Sequence, residues 1–160
     1  MNEPAIRAAR AGDEDVILTL LRELAGYERL EHRFRLTREI IARDFLCASP
    51  GLCCDLAFVE EEAAGIMTWY PTYSSFAAAR GIHLEDFYVR DKLRRRGIGR
   101  KLLAHLAKRA RDDGAARIEW AVLAWNEPSI RFYESLRAER VDEWHVYRLV
   151  GGALHDLASS

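Results

Sequence analysis

The sequence predicts an α/β chain: one mixed sheet, mostly antiparallel, with a single parallel strand pair at its centre and helices on its faces. Three observations carry that reading. Residues 54–59 and 65–70 are apolar, strand-like runs separated by the polar step Glu60-Glu61-Glu62, a short spacing that suits an antiparallel hairpin. Residues 82–89, 99–112 and 117–123 read as strand, crossover helix and strand, a connection that makes the two strands parallel. Upstream, Val16, Ile17, Leu20, Leu21 and Leu24 recur at helical intervals and supply an apolar face to cover the sheet.

In chain order, residues 5–8 read as a short first strand and Gly12-Asp13 as a helix start. Gly26 loosens that helix near its end and leaves Tyr27 and Glu28 close to a bend. Thr37 with Ile40, Ile41 and Phe45 marks a second helix, which stops near Ser49-Pro50-Gly51. In the helix over 99–112, Leu102, Leu103, Leu106, Ala107 and Ala110 share one face, opposite Lys101, Lys108 and Arg111. Gly114 stands where a C-cap glycine belongs. Pro128 falls in the first turn of a short helix through Ser135, a position proline accepts. Residues 144–150 read as a closing strand, followed by a short polar tail. No repeat, low-complexity tract or linker interrupts the chain, so a single domain over 1–160 is expected.

At 160 residues the chain can bury a full core, and 49% hydrophobic with 31% charged residues is the balance of a soluble globular protein. A formal charge of −1 argues against a dedicated nucleic-acid binder, whose surface leans basic. The positive charge is instead concentrated over 90–101, which suits a compact anionic ligand. Cys47, Cys53 and Cys54 make an odd count without a Cys-x-x-Cys, and adjacent cysteines rarely bridge. Buried, reduced thiols in a reducing compartment are expected. With no signal pattern and no apolar run of about eighteen residues, cytoplasmic residence without a membrane partner follows. His32, His83, His105, His145 and His155 show no pair at ligand spacing, so no metal is expected.

The run Arg94-Arg95-Arg96-Gly97-Ile98-Gly99-Arg100 is the most informative stretch. It closes a strand and opens a helix. Two glycines one residue apart bring bare N–H groups close to a ligand, and the helix adds its N-terminal donors and the positive end of its dipole. The result is a pyrophosphate cradle with arginines for the remaining phosphate charge. The spacing fits neither a Gly-x-Gly-x-x-Gly nor a Gly-x-x-x-x-Gly-Lys-Ser/Thr loop. What stands is Arg-x-x-Gly-x-Gly, and taken alone a basic loop capping a helix is also what a merely solvated helix start looks like.

Two further segments frame it: Leu84-Glu85-Asp86-Phe87-Tyr88-Val89 upstream, and Ala124-Trp125-Asn126-Glu127-Pro128-Ser129-Ile130-Arg131-Phe132-Tyr133 about thirty residues downstream. In that order and spacing, with Leu24-Ala25-Gly26-Tyr27-Glu28 near the N-terminus, they resemble the GNAT N-acetyltransferase superfamily. Within it they look most like the diamine and thialysine acetyltransferase group. The resemblance covers nearly the whole chain. It implies acetyl transfer from acetyl-CoA to an amine, a GNAT fold whose parallel pair splays apart to receive that cosubstrate, and a homodimer.

Such a reaction needs a neutral amine, yet an alkylamine with a pKa near 10 is neutral in only roughly one molecule in a thousand at pH 7. A carboxylate near the cleft, acting directly or through water, can accept the proton. Glu85 and Asp86 are neighbours in a strand, so their side chains point to opposite faces unless the strand bulges. The resemblance implies such a bulge, with Glu85 as the amine-side base and Asp86 binding the substrate amine. It also implies Tyr133 as the general acid for the departing thiolate. Phe87, Tyr88 and Val89 would pair their main chain with the pantetheine arm. Asn126, with Glu127, Pro128 and Ser129, joins Arg94 to Arg100 on the cofactor side. Tyr27 and Glu28, with Glu31 one turn on, and Glu119 and Trp120 match substrate-contacting positions; a solvated helix end explains Glu28 and Glu31 equally well.

The chain departs from that group in three places. Polyamine-acetylating members carry an acidic residue where this chain reads Tyr73-Ser74-Ser75-Phe76. Serine there looks more like the thialysine branch and favours a small amino acid or short diamine over a long polyamine. The usual glycine after the Tyr133 helix is replaced, the chain reading Ser135-Leu136-Arg137-Ala138. The segment 139–144 is shorter than in the animal enzymes. Two other readings stay on the page: an acetyl-CoA-dependent protein or peptide acetyltransferase, and a CoA-binding module without catalysis.

Overall fold

The structure, a computed structural model, describes residues 3–160. They divide into two compact units, with Ala121 ending the first and Val122 opening the second.

The first unit holds the sheet. β1 (Ala5–Ala8) leads to α1 (Glu14–Tyr27), α2 (Arg38–Asp44), β2 (Cys53–Val59), β3 (Glu62–Ser74), β4 (Ala79–Val89), α3 (Ile98–Asp112) and β5 (Ala115–Glu119). The strand order is β1-β2-β3-β4-β5, antiparallel through β4 and parallel between β4 and β5. This is the mixed sheet with a helical crossover that the sequence predicts. Among the described residues no strand follows β5, so there the parallel pair ends the order and does not lie at its centre.

The amphipathic patterns become the core. Ile17, Leu20, Leu21 and Leu24 of α1 and Ile41 of α2 are buried with Cys54, Leu56, Ile66 and Tyr88 of the sheet. From α3, Ile98, Leu102, Leu103, Leu106 and Ala110 are buried as well. Each full burial of such a side chain stabilises the fold by roughly 1.5–3 kcal/mol. Asp13 precedes α1, but its carboxylate accepts from Arg7 Nη1 and Nη2 at 2.7 and 2.8 Å and from the Arg10 N–H at 2.8 Å. Thr37 caps α2 through the Ile40 N–H.

Two features of the sheet position the site. The first is a bulge. Thr68 pairs with Asp86 and Trp69 with Leu84, so Glu85 is an extra residue on β4 with no partner of its own on β3. The second is a parting of strands. The β4–β5 ladder runs from Arg80↔Ala115 to His83↔Glu119 and stops, while β4 continues through Val89. β5 ends at Glu119, short of the expected 117–123. β3 runs past the expected 65–70, because β2 pairing ends at Cys53↔Trp69 and only β4 accompanies it further. Pro71, with no N–H to give, therefore lies where no β2 strand requires one.

The second unit contains α4 (Glu127–Ser135) and α5 (Gly151–Ala158). Asn126 caps α4, its Oδ1 accepting from the Ser129 N–H at 3.3 Å, with Pro128 in the first turn. The helix closes with Arg137 N–H donating to Glu134 O at 2.8 Å and Ala138 N–H to Tyr133 O at 3.2 Å. Arg137 takes the left-handed conformation, φ 63°, that this closure requires. The strand expected over 144–150 is not formed. A strand's hydrogen bonds are all made to a neighbour, and no ladder among the described residues supplies one. Trp144, Val146 and Tyr147 stand 77, 90 and 93% exposed. The expected polar tail folds instead as α5.

Candidate active site

The basic loop folds into a tight main-chain curl. Arg95 and Gly97 are both left-handed, φ 61° and 78°, and Gly97 is the residue that opens α3. Left-handed residues between extended or helical ones turn successive N–H groups toward one side. A Cβ built on Gly97 would meet nothing within 4 Å, so the concave side is open. No side chain caps α3 and no acidic residue stands in its first turn. Lys101 is paired with Glu3, but Arg96 and Arg100 still put cations at the positive end of a helix, against the preference of its dipole. An anion there satisfies both the bare N–H groups and the surplus charge, so the loop fits a phosphate-bearing cosubstrate.

The arginines of the loop divide into two kinds. Arg95, Arg96 and Arg100 are exposed. Arg94 turns inward: its Nε donates to Val89 O at 3.0 Å, its guanidinium pairs with Asp91, and it lies 4.5 Å from the Tyr27 ring centre. Ile98 is buried in the core, so only its main chain could face a ligand. Gly99 and Arg100 lie in the first turn of α3.

Beside the loop, β4 runs on through Phe87, Tyr88 and Val89 after its ladder with β5 has stopped. At the head of that run stands the bulge. Glu85, exposed, has its Oε2 3.5 Å from His83 Nε2. Asp86 is half-buried, its Oδ2 accepting from Thr68 Oγ1 at 2.6 Å. Burial pushes its carboxyl up, the Thr68 hydroxyl pulls it back, and the Glu85 charge raises it again. Glu28, at the C-terminal end of α1, is also pushed up, first by burial and then by Asp86. Glu85 thus acts on Asp86 and Asp86 on Glu28, so the three carboxyls lie within electrostatic reach of one another in that order.

The first unit thus brings together most of the acceptor-side residues expected from sequence. Tyr27 ends α1 and Glu28 follows it. Glu119 faces His83 in the parallel ladder, and its carboxylate takes Arg117 Nε at 3.0 Å. Trp120 is the next residue along. In the second unit, Asn126, Glu127, Pro128 and Ser129 make the cap and first turn of α4, and Tyr133 sits further along that helix. Sequence reasoning passed over two residues, Thr68 and His83. Thr68 is a lone hydroxyl in a buried apolar run, a signal that gains meaning only once the register sets it opposite Asp86.

Comparison with known proteins places the chain in a family. The model of the Acetyltransferase (GNAT) family matches residues 15–137. A thialysine N-epsilon-acetyltransferase from Bos taurus is 34% identical over 164 residues, covering 96% of each chain. The protein of the same name from Caenorhabditis elegans is 32% identical over 145 residues, 89% of each. Among solved structures, an integron cassette protein from V. cholerae superposes over 100% of both chains with a TM-score of 0.83 at 21% identity, which speaks for the fold. With the family model spanning most of its length, the chain belongs to the GNAT acetyltransferases, enzymes that transfer an acetyl group from acetyl-CoA.

Proposed function

We propose that the acceptor is a small cationic amine, thialysine, a lysine-like amino acid or a short diamine, acetylated by direct attack while both substrates are bound. The observation that carries this is the cluster of Glu28, Glu85 and Asp86, two of whose carboxyls are pushed up by burial and by neighbouring charge. An ammonium among them relieves both burdens. Tyr27 adds an aromatic face for the same cation. Glu119 and Trp120 complete the acceptor side. The identity of 34 and 32% to thialysine acetyltransferases, over 96 and 89% of the chain, supports the choice of acceptor.

In this reading the cosubstrate supplies the acetyl group as a thioester, already activated. Asp86 and Glu28 hold the substrate's charge, and Glu85 accepts the proton that the amine must lose, with His83 as its neighbour. Phe87, Tyr88 and Val89 bind the pantetheine arm through main-chain groups. The loop from Arg94 to Arg100 binds the pyrophosphate, Arg94 by holding the loop against β4 and Tyr27, and Arg95, Arg96 and Arg100 by charge. Asn126 with Glu127, Pro128 and Ser129 contributes on the cofactor side, and Tyr133 gives a proton to the departing sulfur. We take residues 1–160 as one catalytic domain, since the family match over 15–137 starts in the first unit and continues into the second. A homodimer is supported by the apolar side chains over 144–157 that the single chain leaves exposed. Free cysteines support a cytoplasmic setting.

The test is a panel of thialysine, lysine, short diamines, spermidine and spermine assayed with acetyl-CoA. Thialysine or a short diamine should give the highest kcat/KM, and Ser74→Asp should move preference toward polyamines. A strong preference of the unaltered enzyme for spermine overturns the assignment. Light scattering at micromolar concentration decides the dimer.

A further inference from the structure

We infer that Thr68, a residue of the neighbouring strand, is the positioning residue for amine recognition: its hydroxyl locks the β4 bulge and fixes the carboxyl of Asp86. The inference rests on the reading above that Asp86 receives the substrate's ammonium.

Thr68 lies in β3, within the fully buried stretch 64–69, and is itself 0% exposed. A hydroxyl in such a place is costly unless its hydrogen-bonding capacity is used. Here one hydroxyl serves one residue twice. Thr68 Oγ1 accepts from the Asp86 N–H at 3.1 Å and donates to Asp86 Oδ2 at 2.6 Å. The two bonds close a small ring through the Asp86 main chain and side chain. With Oδ2 held, rotation of the carboxyl about its Cβ–Cγ bond is arrested, and Oδ1 is presented in one direction only.

The position of this clamp in the sheet matters as much as its bonds. The register shift falls immediately after Thr68, between it and Trp69. On β4 the same step lies across Leu84, Glu85 and Asp86. Thr68 therefore pins the first regular pair on one side of the extra residue. Sliding the bulge along β4 would place another residue opposite Thr68, and the ring could not form. The side-chain alternation that would send Glu85 and Asp86 to opposite faces is broken at this one point, and the Thr68 hydroxyl holds the break there.

The electrostatic setting explains why a hydroxyl is needed. Among the described residues, Glu85 on β4 acts on Asp86, while Glu28 at the end of α1 and the Cys54 thiol on β2, kept neutral by burial, feel its charge; none of the three is a cation. Burial and Glu85 favour the neutral carboxyl, and the Thr68 donor favours the charged one. A carboxyl that must meet a cation has to be charged and aimed, and Thr68 contributes to both.

The experiment compares steady-state kinetics of wild type, Thr68→Val, Thr68→Ser, Asp86→Asn and the Thr68→Val/Asp86→Asn double variant, with the best amine of the panel and acetyl-CoA. Thr68→Val keeps shape and removes the hydroxyl; it should raise the amine KM about tenfold, the scale of a hydrogen bond to a charged group. The acetyl-CoA KM should stay at the wild-type value. Thr68→Ser should restore the amine KM, and the double variant should be no worse than Asp86→Asn alone, because Thr68 acts through Asp86. If Asp86→Asn raises the amine KM but Thr68→Val stays within about twofold of wild type, a change too small for a lost bond to a charged group, the inference is overturned and the reading of Asp86 stands. If Asp86→Asn leaves the amine KM unchanged, the reading of Asp86 fails and the inference falls with it. Equal rises in both KM values would assign Thr68 a purely structural role. Should Thr68→Val fail to fold by circular dichroism, Thr68→Cys, a weaker donor, carries the same comparison.

Discussion

Gly65→Ala tests the packing that sets β4 in place. Gly65 pairs with Val89, at the end of the run assigned to the cosubstrate. A Cβ on Gly65 would lie 2.7 Å from Tyr88 O and 3.3 Å from both Leu102 Cδ1 and Val89 Cγ2, where ordinary contact begins near 3.4 Å. The tightest neighbour is a main-chain oxygen, so no rotamer change relieves it. Strand β4 must move away from β3, or the ladder must tilt. Overpacking of this kind costs about 1–3 kcal/mol. Alanine returns about 0.4–1 kcal/mol by restricting the unfolded chain. The net loss is about 1–2 kcal/mol, which for a chain of this length lowers Tm by about 3–6 °C. Thermal unfolding followed by circular dichroism reads it directly. Because the carbonyl displaced belongs to Tyr88, the acetyl-CoA KM should rise while the amine KM changes little. A Gly65→Ala enzyme that melts at or above the wild-type temperature would refute the reasoning, since the contact with Tyr88 would then be soft.

Four other outcomes follow from the same structure. Gly97→Val should abolish acetyl-CoA binding by calorimetry in a folded protein, because its Cβ enters the open side of the loop and its φ is one that valine resists. Glu85→Gln and Tyr133→Phe should differ in their pH–rate profiles: the Glu85 defect shrinks as rising pH supplies neutral amine, whereas Tyr133→Phe stays about a hundredfold low in kcat at every pH. Arg137→Gly should stabilise the protein by about 1 kcal/mol, read as a rise in Tm, because glycine takes the left-handed closure of α4 without the side-chain cost. Asp13 is held below the ordinary carboxylate range by Arg7, against its own burial. Its contribution is therefore complete above the unfolded pKa near 4 and lost as pH falls through the lower folded value. Asp13→Asn should melt below wild type at pH 7, with the gap closing in acid.

Legibility from sequence follows the range of the interactions. Helices α1, α3 and α4 were readable because their periodicity, caps and first-turn proline are local. The hairpin and the crossover were readable from spacing. Strand ends were not, because they depend on a neighbour: β3 continues past Pro71 on the strength of β4, and β5 stops at Glu119. Residues 144–150 are rich in aromatic and β-branched side chains, as a strand is, yet composition cannot supply a partner. The helix α5 was hidden by Gly151-Gly152 at its start, read as the entrance to a tail. In the site, Glu85 and Asp86 were visible as residues, but strand geometry alone sends them apart. Their common placement depends on Thr68, eighteen residues away in the chain. Arg137 shows the converse: the glycine usual after the Tyr133 helix is replaced, and arginine still takes the left-handed conformation with the two closing hydrogen bonds of α4.

The parting of β4 from β5 has a bearing on how such an enzyme changes over time. In the function proposed above, what β4 offers from Phe87 to Val89 is peptide backbone, and every amino acid except proline carries the same backbone donor and acceptor. A substitution anywhere from Phe87 to Val89 leaves that offer intact so long as the strand keeps its place. A few residues earlier, at Glu85 and Asp86, the reverse holds, and a single base change alters charge and reach. On that proposal, mutation finds the donor half of the cleft tolerant wherever the packing of Tyr88 and Val89 is kept, and the acceptor half responsive. A lineage built on this sheet would then be free to explore new acceptors while inheriting the same donor.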